Sequence, residues 1–124
     1  MMERLAESTN YIIFYEYETV LLKIKNTFGF SVIGDFYGNP QFAVISKNEK
    51  FCVMGGAGII IYFLTEPFEE YQYNTHSEQW KEWGRGQNDC DTIWVNKIVF
   101  IDDRNIEIEF EDMQKLVLDV YSLP

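Results

Sequence analysis

Ile106, Ile108 and Phe110 alternate with Glu107, Glu109 and Glu111. Only an extended strand, whose successive side chains point to opposite faces, sorts that order into one apolar face and one acidic face. The neighbouring residues carry the same pattern. Thr92 to Ile101 reads as a strand with apolar residues on both faces, Asp102 to Asn105 as a turn, and Asp112 to Gln114 as a loop. In a last strand Leu116, Leu118 and Val120 face inward, opposite Val117, Asp119 and Tyr121. The C-terminal third is thus expected to be an antiparallel meander with carboxylates on its outer face.

The punctuation upstream asks for more strands. Phe30 to Tyr37, Gln41 to Ser46 and Phe51 to Met54 are separated by Gly38, Asn39 and Pro40 and by the polar turn Lys47 to Lys50. Gly55, Gly56, Ala57 and Gly58 then read as a tight hairpin turn before Ile59 to Leu64, the least polar strand, which Pro67 ends. Tyr11 to Tyr17 favours a strand, whereas Val20 to Phe28 fits either a strand or a helix stopped by Gly29; strands are preferred. Thr75, His76, Ser77 and Glu78 match a capping box, so a short helix is expected to run to about Trp83 and end at Gly84. The expected fold class is therefore α+β and β-rich: an antiparallel, meander- or sandwich-like sheet with one or two short helices. With 124 residues, 47% of them apolar, and no repeat or linker, residues 1–124 are expected to form a single domain.

The net charge of −10 is unevenly placed. Residues 1–65 hold six acids and five bases, residues 66–124 fourteen acids and five bases. A one-sided negative field repels phosphates and anionic membranes and speeds encounter with basic partners, so no direct nucleic-acid or membrane binding is expected. The leading MMERLAEST has an early acid and no apolar run, unlike a secretory signal, and Gly58 to Leu64 is far shorter than the roughly 20 residues a membrane helix needs. A cytoplasmic location follows as an expectation, with Cys52 and Cys90 reduced.

Catalytic chemistry is sparse. The glycine cluster is followed by a β-branched strand rather than a helix, and no Lys-Ser/Thr pair accompanies it, so it fits neither a P-loop nor a dinucleotide fingerprint. His76 is the sole histidine and reads as a surface residue near a cap; Cys90 lies between Asp89 and Asp91, which disfavour a thiolate. The many carboxylates alternate on an exposed face instead of flanking a cleft, and Asn88, Asp89 and Asp91 lack EF-hand spacing. No catalytic residue, cofactor or metal is expected.

What stands out is Pro67 to Trp83, where acids and aromatics interleave. Glu69, Glu70, Tyr71, Tyr73, Glu78, Trp80, Glu82 and Trp83, with Asp89 and Asp91 beyond, form the candidate partner-binding set, because Trp and Tyr rimmed by charge are what protein interfaces use. Trp80 and Trp83 also fit a second role, pinning the short helix onto the sheet; Tyr71 and Tyr73 are the better interface residues. A polar turn leading to Phe51, Cys52 and Val53, then Gly55 to Gly58, an apolar strand to Tyr62, and Pro67, Phe68 and Glu69, resembles small acidic immunity proteins of bacterial polymorphic-toxin and contact-dependent inhibition systems, over residues 41–83. The resemblance implies a non-enzymatic cytoplasmic protein that binds and blocks a toxin domain, often a basic nuclease. The alternative is a small-ligand module whose Tyr and Trp rings stack on a sugar in a β-sandwich cleft.

Overall fold

The computed structural model describes residues 2–73, 75–85 and 94–122. Eleven strands are found among them, and no helix. The strands form three antiparallel sheets: β1 (Glu3–Glu7), β2 (Tyr11–Glu16), β3 (Thr19–Ile24) and β4 (Ser31–Asp35); β5 (Phe42–Ile45), β6 (Phe51–Gly56), β7 (Gly58–Phe63) and β8 (Trp80–Trp83); and β9 (Val95–Phe100), β10 (Asn105–Phe110) and β11 (Lys115–Asp119). Each sheet is a meander in which strands adjacent in sequence are paired, the least costly connection in chain entropy.

The second sheet lies at the centre because it is apolar on both faces. Cys52, Met54, Ile60, Tyr62 and Trp80 point one way and join Ile13, Val20, Leu22 and Ile33 of the first sheet in one core. Phe51, Val53, Ile59 and Ile61, the residues between them, point the other way and join Val95, Ile98, Ile106 and Ile108 of the third sheet in another. Period-two alternation thus divides a continuous apolar run between two cores. Each fully buried Ile contributes about 1.5–3 kcal/mol of apolar transfer. A side-chain clamp helps fasten the first sheet to the second: the Glu49 carboxylate accepts from the Ser8 hydroxyl, the Asn10 amide N–H and the Asn10 side chain.

The α+β expectation is corrected to all-β. The expected helix does not form: the Thr75 hydroxyl donates backward to the carbonyl of Tyr73, and Trp80–Trp83 is a strand paired with Ile59 to Tyr62 of β7. Tertiary packing overrides the local signal, because in a strand Trp80 and Trp83 fall on opposite sides of the sheet and fill both cores instead of one. The hairpin at the glycines is also tighter than expected. Gly55 and Gly56 belong to β6, and only Ala57 separates Gly56 from its partner Gly58. Gly58 has φ +82, and a Cβ there would lie 2.8 Å from the Gly84 carbonyl oxygen, so glycine is required. Residues 11–28 supply the strands β2 and β3, and Glu3–Glu7, given no element from sequence, pairs with β2.

The outer face of the third sheet differs from the acidic ladder expected there. Glu109 sits across from Lys97 and Lys115, Glu107 from Val99 and Val117, and the Asn96 side chain donates to Glu109 at 2.7 Å. Cross-strand lysines thereby offset much of that charge.

Candidate functional site

Residues 64–73 and 75–79 belong to an irregular strap between β7 and β8. Gln79 makes three of the bonds that hold it: its Nε2 donates to the carbonyls of Phe63 (2.6 Å) and Thr65 (2.9 Å), while its Oε1 accepts from the Glu69 amide (3.1 Å). The Tyr62 hydroxyl donates to the Glu69 carbonyl at 2.6 Å. The strap then runs along the free side of β4, where Glu70 Oε2 accepts from Val32 N and Tyr71 N donates to Val32 O.

This arrangement disperses the candidate binding set. Trp80, 3% exposed, is flanked by Tyr62 and Tyr71, with ring centroids 6.4 and 5.1 Å away, and its indole donates to the Thr75 carbonyl. Tyr71, favoured above for the interface, is 5% exposed and belongs to the core, because the strap turns its ring inward onto Trp80. Burial, and then the adjacent Glu82 carboxylate, raise its phenol above the ordinary range. Trp83 is half-buried and stacks on Phe110. Neither indole offers the open platform that sugar stacking asks for. Glu69, Glu70, Tyr73 and Glu78 remain exposed and Glu82 is half-buried, while Asp89 and Asp91 lie outside the described residues. His76 is exposed.

The residues that do converge surround a recess of about 270 Å³ lined by Glu18, Asp35, Phe36, Tyr37, Ala57, Tyr73 and Arg85. Glu18, in the two-residue turn between β2 and β3, builds one wall: its carbonyl accepts from Phe36 N and its carboxylate from Gly38 N. Those bonds fix the turn after β4 so that Tyr37 stands 72% exposed on the rim, facing the same opening as Tyr73, 62% exposed. The floor is Arg85. Its guanidinium lies over the Phe36 ring (4.7 Å) and near Tyr73 (5.9 Å), its Nε is 3.0 Å from Glu82 Oε1, and its Nη2 donates to the Asp35 carbonyl. Glu82 Oε1 also accepts the Tyr71 hydroxyl.

Electrostatically the recess is an unbalanced acidic site. Two carboxylates, Glu18 and Asp35, line it with one cation, Arg85, and that cation is already paired with Glu82 outside the lining. Partial desolvation, with repulsion from Glu18 second, raises the Asp35 pKa above its ordinary value despite the nearby Arg85. A further positive charge would relieve that strain.

Sequence reasoning missed Glu18, Asp35, Tyr37 and Arg85. The first three lie in the half whose charges nearly cancel, so an average concealed them. Their local signal was an acid within two residues of a tyrosine at each of two turns, Tyr17-Glu18 and Asp35-Phe36-Tyr37. Arg85 directly follows Gly84, where the short helix was expected to end, and its side chain is mostly buried.

On the other side of the strap an open groove is bounded by Glu49, Glu66, Glu69, Glu78, Lys50 and Lys81. Among the described residues no group of three or more His, Cys, Asp and Glu side chains is placed to hold a metal ion, and no helix is long and apolar enough to cross a membrane. No protein-family model, curated protein or solved structure matches the chain.

Proposed function

We propose that this protein is a non-enzymatic binder that neutralises a basic toxin domain by occlusion, the role implied by its resemblance to small acidic immunity proteins. The recess carries the reading: two exposed tyrosine rings open onto carboxylates that lack a matching cation. A lysine or arginine side chain of the partner would enter between Tyr37 and Tyr73 and meet Asp35 and Glu18. Cation–π contact adds about 0.5–2 kcal/mol, and the charge-assisted hydrogen bond about 1.5–3 kcal/mol. Glu66, Glu69 and Glu78 on the strap extend the negative field and speed encounter. A nuclease whose phosphate-binding cations are engaged in this way cannot hold its substrate. On this reading the protein acts in the cytoplasm and needs no cofactor.

The test is binding to the protein encoded immediately upstream, measured by titration calorimetry across ionic strength. Affinity is expected to fall steadily as salt rises. An affinity equal at low and high salt would remove the electrostatic basis of the proposal.

A further inference from the structure

Six strands sit at the edges of the three sheets, and five of them are blunted. β1 carries a bulge between Arg4 and Ala6, β4 is covered by the strap through Val32, and β5 lies against β1. β8 has only four residues with two charges at its centre, and β9 shifts register opposite Glu109 and Phe110 and lies against β6. β11 has none of these devices. It pairs with β10 through five consecutive positions without a bulge, and its sequence Lys-Leu-Val-Leu-Asp is apolar at the centre, with Leu116 37% and Val117 52% exposed. Among the described residues nothing covers its other side. An edge of this kind is a template for another strand.

The backbone defines which groups are free. Val120 N donates to Arg104 O and Phe110 N to Gln114 O. In an antiparallel ladder bonded pairs alternate with non-bonded ones, so Ile106 with Leu118 and Ile108 with Leu116 are the bonded pairs. The N–H and C=O groups of Lys115, Val117 and Asp119 therefore point away from β10. We propose that they pair with the same groups of a second copy of this chain, β11 against β11, antiparallel, with Val117 opposite Val117.

That register is selected by charge. It sets Lys115 across from Asp119 of the second copy, twice by symmetry, and brings Leu116 beside Leu118 on the inner face. Both charged groups can take the new contact. Lys115 is 3.8 Å from Glu107 with a 56% exposed side chain, so little holds it, and Asp119 is already oriented by Arg104 at 2.7 Å. The Asp119 carbonyl accepts from Ser122 N at 3.1 Å and keeps a second lone pair. The result is a continuous six-stranded sheet about a twofold axis. It leaves the Tyr37 and Tyr73 recess open, since none of the residues lining that recess belongs to the third sheet.

The test is sedimentation of the full chain between about 1 μM and 1 mM, with Val117→Pro, Lys115→Glu and Asp119→Lys variants. Wild type is expected to double its mass within that range. Val117→Pro removes an outward N–H without touching the bonds to β10 and is expected to weaken the dimer at least about tenfold while retaining the far-UV circular dichroism. Lys115→Glu alone and Asp119→Lys alone each set like charges opposite one another and are expected to be monomeric. An equimolar mixture of the two restores both opposite-charge pairs and is expected to regain the dimer. Should Asp119→Lys fail to fold for want of its Arg104 contact, the comparison of Lys115→Glu with wild type still decides. A monomeric wild type overturns the proposal, as does a dimer that Val117→Pro and Lys115→Glu leave unchanged, or a mixture no tighter than its components.

Discussion

Replacing Gln79 with alanine should loosen the strap while leaving both cores intact. The side chain makes three hydrogen bonds, to the carbonyls of Phe63 and Thr65 and from the amide of Glu69, at 2.6, 2.9 and 3.1 Å. Each is worth about 0.5–1.5 kcal/mol net. Thr65 and Glu69 are exposed and their freed groups can turn to water, which points to the lower end and a total of about 1.5–3 kcal/mol. Urea denaturation should show the midpoint falling with an unchanged slope, because the surface exposed on unfolding is nearly the same. Gln79→Glu sharpens the test. It keeps the acceptor but turns an anionic oxygen toward two carbonyls, so at neutral pH it should be less stable than Gln79→Ala. The folded state then raises this carboxyl's pKa and binds the extra proton, so the variant should gain stability relative to wild type as pH falls from neutral toward about 4.3, where the protonated acid can donate. A loss below about 0.5 kcal/mol for the alanine variant, or a pH-independent difference for the glutamate, would refute the role given to Gln79.

Three further outcomes are expected. Because the folded state raises the Asp35 pKa, ionised Asp35 opposes folding above its unfolded value of 3.8, so Asp35→Asn should raise the melting temperature at neutral pH, with the gain shrinking as pH approaches 3.8; equal melting temperatures at pH 7 would contradict this. Gly58→Ala combines φ +82 with the approach to Gly84 and should cost at least about 2 kcal/mol in urea titration, against under about 0.5 kcal/mol if the turn can adapt. Burial pushes the Cys52 thiol up to about 12, so native protein should leave Cys52 unmodified by a thiol reagent, and denatured protein should not; peptide mapping of rapid native labelling at Cys52 would contradict its place in the core.

The strands at Phe42–Ile45, Phe51–Gly56, Gly58–Phe63 and Asn105–Phe110 were legible because hydrophobic patterning and glycine or polar punctuation are local properties. β8 was not, since Thr75 to Glu78 is a sound helix start in isolation and loses only to the two cores that Trp80 and Trp83 fill on opposite sides. The same limit applied to the site. Sequence identified an acidic, aromatic strap, but which rings it buries depends on the inward turn that places Tyr71 on Trp80. The recess joins Glu18 and Asp35 to Tyr73 and Arg85 across 38 to 67 residues of chain, a juxtaposition with no trace in residue spacing. Counting charge by halves pointed away from it.

The recess is the proposed place of contact with a basic partner. The direct measurement is growth rescue and co-purification on co-expression with the protein encoded immediately upstream, comparing wild type with a Tyr37→Ala, Tyr73→Ala, Asp35→Asn triple variant. All three side chains are exposed, so the variant should fold. Wild type is predicted to rescue growth and co-purify with the partner, and the variant to do neither while retaining the wild-type circular dichroism spectrum. A wild type that fails on both counts, or a folded variant that rescues and co-purifies as wild type does, would contradict it.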